Sequence, residues 1–359
     1  MIIKRFSLMA VPLMLLAACG ETDTGSEEGD VTETGPAEGA LETVAENLEE
    51  PWSIDQYEDT FYISERAGSI MKIDAESTER QEVELSDEVS NAPEAGLLGF
   101  TLSPDFETSN EAFAYYTYED DEGQFNRVVT LALSDGIWSE DEILLDGMPG
   151  GQVHHGGRLA IGPDEYLYIT AGDAAAPELS QQSDSLGGSI LRMTLDGSVP
   201  SDNPFDDSYV YSYGHRNPQG MSWSEDGTLY ASEHGENAND EINLIEAGNN
   251  YGWPVIEGDE EEEEGMEPPL FTSGDDTWAP SGMGYHENGL YVAALRGNAL
   301  IEFDFETEDY NEIITDVGRV RDVMSDEEYL YFISNNTDGR GEPDEADDKL
   351  YRLPLAELE

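Results

Sequence analysis

Residues 289–303 read GLYVAALRGNALIEF. Gly289-Leu290-Tyr291-Val292-Ala293 is a short run of aromatic and branched apolar residues. A Gly-Asn break follows, and Ala299-Leu300-Ile301-Glu302-Phe303 supplies a second such run. Two brief apolar runs closed by a turn read as a β-hairpin rather than a helix. The pattern recurs along the chain. Thr60 to Ser64, Ala112 to Tyr116, Tyr166 to Thr170, Thr228 to Ser232 and Tyr329 to Ile333 repeat the first run. Ser69 to Ile73, Ser189 to Met193 and Lys349 to Leu353 repeat the second. About six units over roughly three hundred residues fit four-stranded blades around an axis. The expected fold is therefore all-β: a six-bladed β-propeller of four-stranded antiparallel blades spanning 45–359. Seven blades or a pair of β-sandwiches are the competing arrangements. In a propeller the loops at one end of the axis converge, so residues distant in sequence can build one pocket.

Charge narrows the function. The chain has 359 residues, with 81 acids against 15 Lys plus Arg and a formal net charge of −66. Phosphate binding needs a basic surface, so a nucleic-acid partner is not expected. A surface this acidic repels itself at low ionic strength, and molar salt screens that repulsion. The composition reads as adaptation to a salty medium, with a dedicated cation-binding role as the alternative. A hydrophobic content of 38% suffices for a real core.

The first residues resemble an export signal. Lys4 and Arg5 precede an apolar run from Phe6 to Leu16 that is too short to span a membrane. Leu16-Ala17-Ala18-Cys19 then looks like a bacterial lipobox. The reading is a lipoprotein signal peptide over 1–18, lipidation at Cys19, and an acidic disordered tether over 19–44. The body would sit outside the cytoplasmic membrane, in the periplasm or cell envelope, held only by its lipid. Cys19 is the sole cysteine, which excludes an intrachain disulfide and c-type haem. A second acidic run, Asp259 to Glu264, reads as a solvated loop.

Basic residues are scarce, so their positions carry information. Arg158, Arg216, Arg296, Arg319 and Arg321 sit in Gly-, Pro- or Asn-rich stretches beside strands. Any one of them can serve as structural glue to the many acids. Arg319-Val320-Arg321, at alternate positions of an extended stretch, would put two guanidiniums on one face. Such a pair suits a poly-anionic small ligand. Histidines are concentrated too: His154 and His155 precede Gly156-Gly157-Arg158, His215 and His234 lie in Gly-containing loops, and His286 follows a Gly-rich strand start. A His joined by a carboxylate from the next loop is a general base with an orienter; a satisfied loop His and a metal ligand are the other readings. No H-x-x-x-H or H-E-x-x-H spacing occurs, which argues against a zinc site.

Several stretches, in order, resemble the soluble PQQ-dependent glucose/sorbosone dehydrogenases of the aldose sugar dehydrogenase type. They are AGLLGF (95–100), SPDF (103–106), HHGGRL (154–159), GPD (162–164), GGSILRMTLDGSVPSDNP (187–204), YGHRNPQG (213–220), DEINLIEAGNNYGWP (240–254), APSG (279–282) and RVRD (319–322). The resemblance runs from about residue 47 to the C-terminus, and also implies a six-bladed propeller. It implies oxidation of an aldose at C1 to the lactone, with pyrroloquinoline quinone (PQQ) and Ca²⁺ as cofactors and a separate electron acceptor. By resemblance, His154 is the base, Asp173 its orienter and Arg216 the group that polarises the quinone oxygen. Asn217, Gln219, His234, Thr277, Arg296, Arg319 and Arg321 would hold PQQ. The carbonyls of Gly235 and Glu236 would ligate calcium, and Glu94 would lie at the substrate edge with His154 and Asp173. Val153 stands where glucose-oxidising relatives carry an acid, Arg296 where they carry Lys, and His234 where they carry Gln. His155 is assigned a structural role. The competing class is a non-redox propeller, either a surface binding protein or a calcium-dependent lactone hydrolase. Neither needs the Arg296, Arg319, Arg321 cluster.

Overall fold

The computed structural model describes Pro36 and residues 39–259 and 265–358. The signal peptide, Cys19, most of the tether and residues 260–264 of the acidic run lie outside the described residues. The chain is all-β. Strand β1 (Glu42–Ala45) comes first. A first unit follows: β2 (Pro51–Tyr57), β3 (Thr60–Glu65), β4 (Ser69–Ile73) and β5 (Thr78–Glu84). The second is β6 (Leu97–Leu102), β7 (Glu111–Asp120), β8 (Gly123–Ser134) and β9 (Ile137–Pro149). The third is β10 (Leu159–Ile161), β11 (Leu167–Ala171), β12 (Ser189–Met193) and β13 (Val210–Tyr213). The fourth is β14 (Pro218–Trp223), β15 (Leu229–Glu233), β16 (Glu241–Ile245) and β17 (Phe271–Thr272). The fifth is β18 (Pro280–His286), β19 (Gly289–Ala294), β20 (Ala299–Asp304) and β21 (Asp309–Ile314). The sixth is β22 (Val320–Ser325), β23 (Tyr329–Ser334) and β24 (Leu350–Pro354), completed by β1 pairing with β24.

Every pairing within a unit is antiparallel, and all the hairpins expected from the sequence form. The third to sixth units are separate four-stranded sheets. The first two differ from expectation, being fused into one eight-stranded sheet by a parallel β5–β9 pair from Glu82 to Glu84. The tether also ends earlier than residue 44, because Glu42 already pairs with Arg352 in the β1–β24 ladder. The Arg352 guanidinium donates to the Glu42 carboxylate at 2.6 and 2.9 Å, which gives this acidic residue a reason to join the sheet.

The second strand of each unit is apolar on both faces because both faces are covered. Successive side chains of a strand point to opposite sides. Tyr168 packs toward the fourth unit with Met221 and Ala231, while Ile169 packs toward the second with Phe113 and Val128. Tyr291 and Val292 divide in the same way, as do Phe332 and Ile333. Each core cluster thus lies between two neighbouring units, and one joins Ile333 and Leu350 of the sixth unit to Ile54 and Ile63 of the first. A fully buried residue such as Ile63 or Phe332 contributes about 1.5–3 kcal/mol.

The first strands β2, β14, β18 and β22 also touch their neighbours, and β22 touches β2. Polar bonds knit this inner layer. The Asp322 carboxylate accepts from Ile54 N–H (2.8 Å) and from Arg158 Nη1 (2.7 Å). Within each antiparallel pair the first strand begins opposite the end of the second, as Pro51 does opposite Glu65 and Pro218 opposite Glu233. The loops there are where the candidate residues lie.

Candidate active site

His154 precedes β10 and Asp173 follows β11. Their approach depends on glycine. A Cβ at Gly172 would lie 2.0 Å from the His154 carbonyl oxygen, and one at Gly157 would lie 2.8 Å from Leu98 Cδ1. His154 itself adopts a left-handed φ of 64°. The tight loop brings His154 Nδ1 to 2.7 Å from Asp173 Oδ1. With the carboxylate accepting, Nδ1–H is the donor of this bond, and in the neutral ring Nε2 keeps its lone pair. Ala175 N–H donates to the same Asp173 oxygen, and the Trp253 indole N–H donates to the other, both at 2.8 Å. Glu94, before β6, accepts from the His154 backbone N–H (3.1 Å) and from Arg340 Nη2 (3.2 Å). Burial opposes ionisation of Glu94, but the His154 amide and the positive field of Arg340 win and hold it below the usual carboxylate range.

Arg216 and Asn217 precede β14. Arg216 N–H is held by Glu233, whose other oxygen lies 2.8 Å from His215 Nδ1. His215 is buried, stacks on Tyr251 and contacts Ser212 Oγ at 2.9 Å. It therefore supports the Arg216 backbone from beneath. Arg216 Nη1 donates to the His234 carbonyl (3.3 Å), while Arg216 Nε is buried without a partner among the described residues. His234 Nε2 is likewise buried and unpartnered. Burial pushes the His234 imidazole below its ordinary pKa, so it is neutral.

One cavity of about 190 Å³ is lined by Glu94, His154, Arg216, Asn217, His234, Gly235, Glu236, Thr277, Arg296 and Arg319. A smaller lobe sharing Glu94, His234 and Arg340 adds Trp52, Arg66, Gln219 and Arg321. Nearly all the sequence-identified candidates thus line one continuous region; Asp173 stands behind His154. His155 does not join them. It is buried, with Nδ1 3.1 Å from Asn126 Oδ1, and burial lowers its pKa to about 4.

Arg319 and Arg321 behave differently from each other. A register shift between Val320 and Asp322 breaks the regular alternation of β22. Arg319 is neutralised: Nη2 donates to Asp338 at 2.8 Å and Nη1 to the Leu295 carbonyl at 3.0 Å. Arg321 forms no ion pair among the described residues. Neutral oxygens hold it instead: Gln219 Oε1 at 3.1 Å, Ser281 Oγ at 3.4 Å, and Asn335 Oδ1 at 2.8 and 3.0 Å with that amide in the orientation that satisfies both groups. Burial first, then the positive field of Arg66, push its pKa down to about 9 against a smaller opposing pull from Asp338, so it is a buried cation with no ion-pair partner among the described residues. Arg296 is exposed at the rim, and its guanidinium has no partner among the described residues.

The Gly235–Glu236 loop is anchored by Asp240, which accepts from Gly235 N–H (2.9 Å), Thr277 Oγ1 (2.8 Å) and Ala279 N–H (2.7 Å). The Gly235 and Glu236 carbonyls accept no backbone hydrogen bond among the described residues, leaving two hard oxygens open to a cation. No group of three or more His, Cys, Asp or Glu side chains placed to hold a metal occurs among the described residues. Sequence reasoning missed Trp253, Arg340, Arg66 and Trp52. Trp253 lies inside the quoted NNYGWP stretch, and Arg340 is one of only twelve arginines, so a signal existed for both.

A His–carboxylate pair, an unpartnered guanidinium Nε and a buried cation thus line adjoining lobes suited to an anionic ligand. Residues 48–352 match the glucose/sorbosone dehydrogenase family, and the chain belongs to it. Aldose sugar dehydrogenase YliI of Escherichia coli is 31% identical, over 85% of this chain and 92% of that protein. Quinoprotein glucose dehydrogenase B of Acinetobacter calcoaceticus is 34% identical over 60% of this chain, a match spanning 52% of that relative. The PQQ-bound form of an aldose sugar dehydrogenase from Streptomyces coelicolor superposes with a TM-score of 0.81 at 36% identity, covering 88% of this chain and 97% of that one.

Proposed function

We propose that this protein oxidises aldose sugars at C1 to the lactone, with PQQ as cofactor and His154 as general base. The observation that carries the reading is the buried Arg321 cation with no ion-pair partner among the described residues, beside the unpartnered Arg216 Nε and His234 Nε2, on the walls that also present His154. PQQ is a planar tricarboxylate ortho-quinone, and when bound it supplies an electrophilic carbonyl that accepts hydride. Arg321, Gln219, Asn217, His234, Thr277, Arg296 and Arg319 would hold it. Arg216 would face the oxygen where negative charge develops. The open carbonyls of Gly235 and Glu236 would ligate Ca²⁺.

His154 Nε2 takes the anomeric hydroxyl proton as the C1–H bond gives up its hydride and a C1=O bond forms. Asp173 fixes the ring through its bond to Nδ1. Glu94, anionic at the cavity edge, is placed to accept a sugar hydroxyl. The test is dye reduction by apoprotein loaded with PQQ and Ca²⁺ and offered a panel of aldoses. No sugar-dependent reduction of the dye would sink the proposal.

The six units, each sharing a core cluster with the next and the sixth with the first, are best read as blades of a six-bladed propeller; the likeness to the aldose sugar dehydrogenases supports this. The body is further proposed to be exported and lipid-anchored through Cys19. Cys19→Ala should release it from the membrane fraction, and unchanged partitioning would contradict the anchor. The charge of −66 leads to one more expectation. Circular dichroism should register loss of folded structure between molar and millimolar NaCl, and a flat signal would count against salt adaptation.

A further inference from the structure

We infer that Trp253 is a positioning residue for the proposed oxidation, holding the His154–Asp173 dyad and Arg216 in one frame; the role in turnover rests on the function proposed above. Trp253 lies in the long connection between β16 and β17, outside any strand. Its backbone is pinned on both sides: N–H donates to the Gly214 carbonyl (2.9 Å), and its own carbonyl accepts from Gln181 Nε2 (2.7 Å). Gln181 is fixed in turn by the Asn250 amide, with bonds of 2.9 and 3.1 Å. The preceding Gly252 has a φ of 93°, and a Cβ there would come within 2.1 Å of Ile256 Cγ1.

The indole so placed makes two contacts with the site. Its N–H donates to Asp173 Oδ2 at 2.8 Å, and the Arg216 guanidinium carbon lies 5.3 Å from its ring centroid, within cation–π range. A third link joins the same groups, because Asp173 N–H donates to the Arg216 carbonyl at 2.8 Å.

The indole bond matters because Asp173 is fully buried. Oδ1 serves His154 Nδ1 and Ala175 N–H, so Oδ2 depends on Trp253. With a donor on each oxygen the carboxylate plane cannot turn. That plane sets which imidazole nitrogen carries the proton and where the ring points. Removing the indole N–H leaves a buried lone pair unsatisfied, and the carboxylate is then free to rotate toward another donor.

Trp253→Phe keeps a ring against Arg216 and removes the N–H. The direct readout is the ¹⁵N signature of His154 in cofactor-free protein, where only five histidines compete for assignment. Wild type should show the Nδ1–H form, and Trp253→Phe a mixture of the two tautomers. In PQQ-loaded enzyme kcat should fall about ten- to a hundredfold, the usual loss for an orienting partner, with KM changing far less. If Trp253→Phe fails to fold, benzothienylalanine at 253, which puts sulfur in place of N–H, gives the same comparison. A wild-type tautomer signature in the folded variant overturns the inference, whatever the rate does. The tautomer is read without PQQ, so it stands apart from the functional reading, which fails instead if loaded wild type reduces no dye.

Discussion

His154→Ala lowers sugar turnover by at least about 10²–10⁴-fold, the usual worth of general-base assistance. PQQ and Ca²⁺ should still bind, because the arginines and the Gly235–Glu236 carbonyls are untouched. The neighbouring histidine supplies the control. His155 is buried on the far side of the chain against Asn126, and Tyr115 donates to its carbonyl at 2.7 Å. His155→Ala should cost stability by opening a cavity and leave the chemical step nearly intact. Steady-state rates at saturating PQQ, with melting curves for both variants, decide the matter. An inactive but folded His155→Ala beside an active His154→Ala would remove the base from this loop position.

Arg321→Met should weaken PQQ binding by about 10–150-fold, the equivalent of the roughly 1.5–3 kcal/mol that a hydrogen bond to a charged group contributes. The apoprotein should lose little or no stability. Arg321 is a buried cation with no ion-pair partner among the described residues, and replacing such a charge by an apolar side chain of similar length removes a desolvation cost. Arg319→Met should behave in the opposite sense. It strands Asp338, whose side chain is 2% exposed, and should lower the melting temperature of the apoprotein. Calorimetric PQQ titrations and thermal melts of both variants separate the roles. Equal loss of affinity with equal loss of stability would mean that neither arginine is reserved for the ligand.

Much of the architecture was legible because it is local. The aromatic-aliphatic runs such as Tyr166 to Thr170 are strands covered on both faces, and a run of that kind announces itself without knowledge of its neighbours. The dyad was legible from ordered motifs, with Asp173 closing the strand that follows His154. What escaped depends on contacts between distant segments. The parallel β5–β9 pair joins strands separated by the whole of β6 to β8, and no turn signal marks it. The bulge after Val320 splits the roles of Arg319 and Arg321, whereas strict alternation made them equivalent. Trp253 reaches Asp173 across 80 residues, and Arg340 reaches Glu94 across 246. Such partners are set by how the loops of different units converge, and chain spacing does not encode that.

The central claim is that this cavity binds PQQ for sugar oxidation. Calorimetric titration of purified wild-type apoprotein with PQQ in the presence of Ca²⁺, followed by addition of an aldose and a dye acceptor to the same sample, tests it most directly. The account predicts saturable binding near one PQQ per chain, and dye reduction that requires both the bound cofactor and the sugar. Absence of saturable binding, or dye reduction indifferent to the sugar, would contradict it.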